Sequence, residues 1–189
     1  IADEFGDLTK RVINELNQEQ RNLLYGLMTG DIKTLDKTLS LPVRKQIEAF
    51  NKEGRDLIKK YGQEFVDKGM LSEEVFLKNI NTYLRRSYLK HSKLKDKDAR
   101  IYEVNKNIRV IGDEFKPRGV FDEVSRKEFN NKDGIWQEEG WEIIKELSNG
   151  RLRVRRDLTK AERVDLEEIE DAAYAISETG RLFANDIAT

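Results

Sequence analysis

The stretch PVRKQIEAFNKEGRDLIKKYGQEF, residues 42–65, places Val43, Ile47, Phe50, Leu57, Tyr61 and Phe65 three, four or seven positions apart, with charged residues in nearly every gap. That period puts the apolar side chains on one stripe of an α-helix. Pro42 suits the first turn, where its missing N–H has no acceptor to lose. Gly69 marks the stop. Upstream, Leu8, Val12, Ile13, Leu16, Leu23, Leu24 and Leu27 recur at helical spacing until Gly30-Asp31 closes the stretch. Two such stripes predict a helical hairpin.

Downstream, Ser72 followed by Glu73-Glu74 reads as an N-cap with acids at the positive end of the helix dipole. The helix it opens carries Phe76, Ile80, Tyr83, Leu84 and Tyr88 as its stripe. From Arg85 the chain turns basic, with seven Lys/Arg against two Asp between Leu84 and Arg100. Residues 92–100 read as an exposed connector. Residues 101–140 hold short apolar pieces such as Ile108-Arg-Val-Ile111, interrupted at Gly112, Pro117-Arg-Gly119 and Asp133-Gly134. Irregular structure is expected there, with a short helix around Asp122 to Phe129.

At Trp141 the period changes. Trp141–Leu147 and Leu152–Arg156 flank Asn149-Gly150, a strong short-range hairpin signal because both residues tolerate positive φ. A two-residue loop would set Leu147 opposite Leu152 and Glu146 opposite Arg153. Thr159-Lys-Ala-Glu162 is a capping-box pattern, and the helix it opens is expected to carry Ile169, Ala172, Ala173, Ile176, Gly180, Phe183 and Ile187. Residues 165–189 hold seven acids and one arginine, so this final helix is acidic. The expected fold is therefore mainly α, a helical hairpin and long helices with one small antiparallel β-hairpin at about 141–156. Three regions are expected along the chain: helical 1–91, basic connector and irregular 92–140, and hairpin plus acidic capped helix 141–189. The start at Ile1 and the end at Thr189 suggest a fragment of a longer protein.

Composition agrees with this architecture. Charged and hydrophobic residues each make up 38% of the 189 positions, and only two are proline, which suits long helices with one buried stripe and a wide solvated face. The charges nearly cancel, 35 Lys+Arg against 36 Asp+Glu, so no global field draws the chain to nucleic acid or to a membrane. With no cysteine, disulfides and thiolate metal sites are excluded. No run reaches the roughly 20 apolar residues that span a bilayer.

Motifs that carry chemistry are scarce. The single histidine, His91, has only Asp96 and Asp98 nearby in sequence and reads as a surface residue at a basic helix end. Glu167, Glu170 and Asp171 share a helix face, the pattern of a general-acid pair or an oxygen-ligand metal site. Acidic helix faces are more often simply solvated, and Lys160 and Arg163 lie within about a turn. Gly-rich phosphate loops, nucleophile elbows and kinase signatures are absent. No catalytic residue, cofactor or metal is assigned, and the chain is expected not to be an enzyme. Arg85, Arg86 and Lys90, with Tyr83, Tyr88 and Tyr102 interleaved, suit contact with a nucleic acid or a protein partner. So do Arg151, Arg153 and Arg155, which share a hairpin face and can pair with Glu142 and Glu146 across the strands.

An ordered set of short stretches also resembles a module of the internal virion (ejection) proteins of tailed phages and of the related large polyvalent proteins. The set runs Gly69-Met-Leu-Ser72, Asn79-Ile-Asn-Thr-Tyr-Leu-Arg-Arg-Ser-Tyr88, Arg118-Gly-Val-Phe121 and Ser125-Arg-Lys-Glu-Phe129. It continues with Arg156-Asp-Leu-Thr-Lys-Ala-Glu-Arg163, Glu168-Ile-Glu-Asp-Ala-Ala-Tyr174 and Glu178-Thr-Gly-Arg-Leu182, covering roughly residues 55–189. The resemblance implies a structural and assembly segment, packaged in the virion and delivered into the host cell with the genome. Its implied partners are further copies of itself and neighbouring portal, core or tail proteins. It carries no catalytic residue to this chain.

Overall fold

The computed structural model of the chain describes residues 1–82, 84–89, 101–104, 108–111, 119–130 and 135–187. Tyr83, Lys90, His91, the 92–100 connector and the interruptions at Gly112, Pro117-Arg118 and Asp133-Gly134 lie outside the described residues. The chain divides into two compact units, one formed by residues 1–85 with 169–189 and the other by residues 86–168. This division cuts across the expected sequential one, because the last helix belongs with the first 85 residues.

In the first unit, α1 (Ala2–Glu15), α2 (Gln18–Thr29), α3 (Leu41–Asp67) and α8 (Ala172–Ile187) share one core. The expected stripe of α3 is the buried one: Ile47, Phe50 and Tyr61 are buried, joined by Ile58, with Val43, Leu57 and Phe65 packed at its margin. The upstream stripe is not one helix. Asn17 accepts the Gln20 N–H at 2.9 Å and the Gln20 side chain returns to the Asn17 N–H at 3.0 Å. This capping box starts a second helix and turns it relative to the first. Ile13, counted in the stripe, lies off the buried Phe5, Leu8 and Val12 face of α1 and is 51% exposed. Gly69 stops α3 at φ 70°, with its N–H on Val66 and that of Met70 on Phe65, a Schellman closure.

The helix capped by Ser72, α4 (Glu73–Asn79), is shorter than expected. Asn79, Asn81 and Thr82 are weak helix formers whose side chains favour turns, and the Thr82 N–H closes one onto Asn79. Leu84 and Tyr88 are both buried but serve different cores, which one continuous helix stripe would not do: Leu84 joins the first unit's and Tyr88 the second's.

The second unit holds the strands. β1 (Ile101–Val104) pairs antiparallel with β2 (Ile108–Ile111). β3 (Gly119–Val124), β4 (Glu142–Glu146) and β5 (Leu152–Asp157) form a three-stranded antiparallel sheet in the order β3-β5-β4. Residues 101–124, expected to be irregular, thus contain three strands. The central strand's second partner is β3, far upstream, a pairing that no short-range signal announces. The short helix expected from Asp122 is confined to α5 (Arg126–Phe129), since Ser125 and Glu128 form a capping box and Asp122–Val124 are strand. α6 (Ile135–Glu138) follows. Beneath the sheet, Tyr88, Val124, Phe129, Trp141, Leu152, Val154, Leu158 and Leu166 make the second core.

The hairpin is present with a different loop. Leu147 N–H donates to Arg151, Gly150 N–H donates to Leu147, and Gly150 alone takes positive φ, 76°. A type I′ turn needs positive φ at both central residues; one αL glycine after a type I turn gives a three-residue loop instead. The register therefore shifts by one. Leu152 faces Glu146 and Arg153 faces Lys145, with an irregularity between Ile143 and Lys145.

α7 (Lys160–Asp165) opens on the expected Thr159–Glu162 capping box but does not run on into α8. Glu167, at φ 57°, ends it: the Glu167 N–H reaches Val164 and the Glu168 N–H reaches Arg163. Asp171 then caps α8 through the N–H groups of Ala173 at 2.8 Å and Tyr174 at 3.3 Å. Like charges at Glu167, Glu168, Glu170 and Asp171 would repel along a continuous helix.

Candidate functional site

The strongest local chemistry among the described residues is a pair of buried ion clusters in the second unit. Arg156 sits on the core side of β5 at 7% exposure, beside Glu162 at 5%. Its guanidinium grips both carboxylate oxygens, Nη1 to Oε2 at 2.7 Å and Nη2 to Oε1 at 2.5 Å, and lies 5.2 Å from the Trp141 ring centroid. The same Oε2 accepts the Thr159 N–H at 2.9 Å. Glu162 thus caps its own helix and neutralises a buried cation. Burial pushes its carboxyl up, but the Arg156 and Thr159 hydrogen bonds outweigh that and hold it below the ordinary glutamate range. The bidentate bond to Glu162 in turn raises Arg156.

The second cluster centres on Glu168, whose side chain is 2% exposed. Its Oε1 accepts Arg86 Nη1 at 2.6 Å, its Oε2 accepts Arg163 Nε at 3.1 Å, and Lys160 Nζ lies 3.8 Å away. Three cations from two segments converge on one carboxylate. The main chain joins in, for Tyr88 forms an antiparallel bridge with Glu168 and the Leu89 N–H donates to Glu167 at 3.0 Å.

The residues singled out for partner contact are dispersed. Arg85 donates its main-chain N–H to Thr179 Oγ1 at 3.0 Å, and its Nε and Nη1 are buried with no hydrogen-bond partner among the described residues. Arg86 is engaged by Glu168, and Lys90 lies outside the described residues. Arg151 reaches the Glu123 carbonyl and Arg155 the Asp157 carboxylate at 2.7 Å. Arg153 and Arg155 stand on the sheet face away from the core, in register with Glu123 and Lys145 for the first and Glu142 for the second. The shifted register sets Glu142 opposite Arg155 and takes Glu146 off the expected Arg153, and the Glu146 carboxylate turns to Arg126 at 2.7 Å. On the edge strand β4, Ile143 and Ile144 are 44% and 47% exposed, framed by Glu142, Lys145 and Glu146, charges that discourage strand addition.

The carboxylates considered for acid-base work are not gathered into one site. Glu167 is exposed at the end of α7. Asp171 caps α8 and binds Arg21 Nε at 3.2 Å and Gln18 Nε2 at 3.0 Å. Burial raises its carboxyl, but these bonds and the Tyr174 N–H outweigh that and lower it, opposite to what a general acid needs. Sequence reasoning missed both buried clusters. The adjacent signals were there: Lys160 and Arg163 within about a turn of the acids, and Arg156 six positions before Glu162. The Arg86 contact with Glu168 spans 82 positions and leaves no local trace. Among the described residues no helix is long and apolar enough to cross a membrane.

No protein-family model matches the chain, and no curated protein or solved structure matches it either.

Proposed function

We propose that this chain is a structural and assembly segment of a phage internal virion protein, taking part in genome ejection into the host, with no catalytic role or cofactor of its own. One observation carries the reading. The distinctive residues of the resembling stretches are engaged in holding the segment together. Ser125-Glu128 and Thr159-Glu162 are helix caps, Arg156 and Glu162 are a buried pair, Arg86 and Arg163 both clamp Glu168, and Gly180 admits Phe5 of α1. Polar residues fixed against one another in this way stiffen each unit by itself, and such units suit assembly in the capsid core, portal or tail. Light scattering of the chain alone and mixed with neighbouring virion proteins tests this. Self-association or a defined complex is expected, and a monomer that ignores every virion partner overturns the reading.

A second reading, contact with nucleic acid, is favoured by Arg153 and Arg155 standing with Lys145 on the outer sheet face. It predicts DNA affinity that falls steeply with salt and is lost on R153E/R155E. Binding that is absent, or that ignores salt, removes it.

A further inference from the structure

The chain leaves the first unit after Arg85 and rejoins it at Ile169, so everything between is an insert with two ends. Within the insert those ends are tied. Tyr88 bridges Glu168, the Leu89 N–H donates to Glu167 at 3.0 Å, and Arg86 is bonded to the Glu168 carboxylate at 2.6 Å. The two clusters of buried core residues are each drawn wholly from one unit. We propose that residues 86–168 are a separately cooperative module latched by Glu168, so that neutralising this one carboxylate loosens the module while the four-helix unit keeps its structure. This goes beyond the virion reading and does not depend on it.

The physical case rests on where the charges come from. Arg86 belongs to the inbound segment, Lys160 and Arg163 to α7, and Glu168 to the outbound segment. A carboxylate accepts up to about four hydrogen bonds, so one group can serve all of these segments at once. Without its charge, the two poorly exposed guanidiniums of Arg86 and Arg163 lose the carboxylate they share where little water screens them, whereas the exposed Lys160 is affected less. The backbone next to the latch is held at a cost. Glu167 occupies the left-handed region at φ 57°, which L-residues seldom adopt and glycine adopts freely. The Schellman closure that requires this conformation is what turns the chain so that Glu168 meets Arg86.

Hydrogen exchange on the whole chain, read segment by segment, tests the proposal with two variants of opposite expected sign. E168Q keeps the shape and removes the charge; exchange at the described residues of 86–168 is expected to quicken by at least about tenfold, with those of 1–85 and 169–187 unchanged. E167G relieves the positive φ and is expected to slow exchange in the same segment, again leaving the first unit unchanged. Should E168Q fail to fold, E167G alone still decides. Changes spreading equally through both units, no change with E168Q, or no slowing with E167G would each overturn the proposal.

Discussion

Replacing Gly180 by alanine should destabilise the four-helix unit, against the ordinary preference of helices for alanine. A Cβ built at position 180 of α8 falls 2.5 Å from Phe5 Cγ and 3.0 Å from Phe5 Cδ2, closer than real methyl contacts allow. Phe5 has no room to retreat. Its ring centroid is 5.9 Å from both Tyr61 and Phe183, and Phe183 is 5.1 Å from Phe65. The substitution gains about 1 kcal/mol of helix propensity but overpacks a filled contact, which costs about 1–3 kcal/mol, and more where the atom struck sits next to the backbone. A net loss of about 1–2 kcal/mol is expected, or roughly 5–15 °C in Tm for a unit of about 100 residues. Gly6 supplies the control. It lies in α1 with nothing within 4 Å of a built Cβ, so G6A should gain about 0.5–1 kcal/mol. Thermal unfolding followed by far-UV circular dichroism reads both. A G180A protein as stable as the parent, or two variants moving in the same direction, refutes the claim that α1 and α8 touch at this glycine.

Both tryptophans, Trp136 and Trp141, lie in the second unit, so their fluorescence reports that unit alone. R156M leaves Glu162 buried without its cation and should lower the fluorescence-detected unfolding free energy by about 3 kcal/mol; a loss below 1 kcal/mol would mean the pair is not buried as described. The Glu162 carboxyl is depressed in the folded state, so its contribution is fully present above the ordinary glutamate range and disappears as pH falls through the lowered value. E162Q should therefore flatten the acid side of the fluorescence-detected stability profile, and an unchanged slope would contradict this. G150A, at φ 76°, should cost about 1 kcal/mol in the same assay, and a neutral result would contradict the left-handed conformation at this glycine.

Signals that live within a few residues were legible before the structure: Pro42 in a first turn, Gly69 as a stop, the Thr159 capping box, the α3 stripe and a hairpin at Asn149-Gly150. Each is a local bond or a local conformational preference, so its energy depends on neighbours that the sequence itself places. The misjudged points also have local causes that were visible but outweighed. Asn17 and Gln20 form a cap within an apolar stripe that runs through them, and Glu167 ends a helix where a glycine would have been looked for.

What only the tertiary structure decided is pairing at a distance. Apolar stripes are interchangeable as far as burial free energy goes, so nothing in α8 says that it packs beside α1 instead of continuing α7. A strand's partner is likewise open until loops close, and β3 pairs with β5 across the 27 residues between Val124 and Leu152. For Arg86, Arg85 and Arg156, composition alone suggested exposed contact residues or basic hairpin. Arg86 and Arg156 are instead tied to Glu168 and Glu162, because a charge taken from water needs a partner held at bonding distance, and only the folded chain brings that partner there.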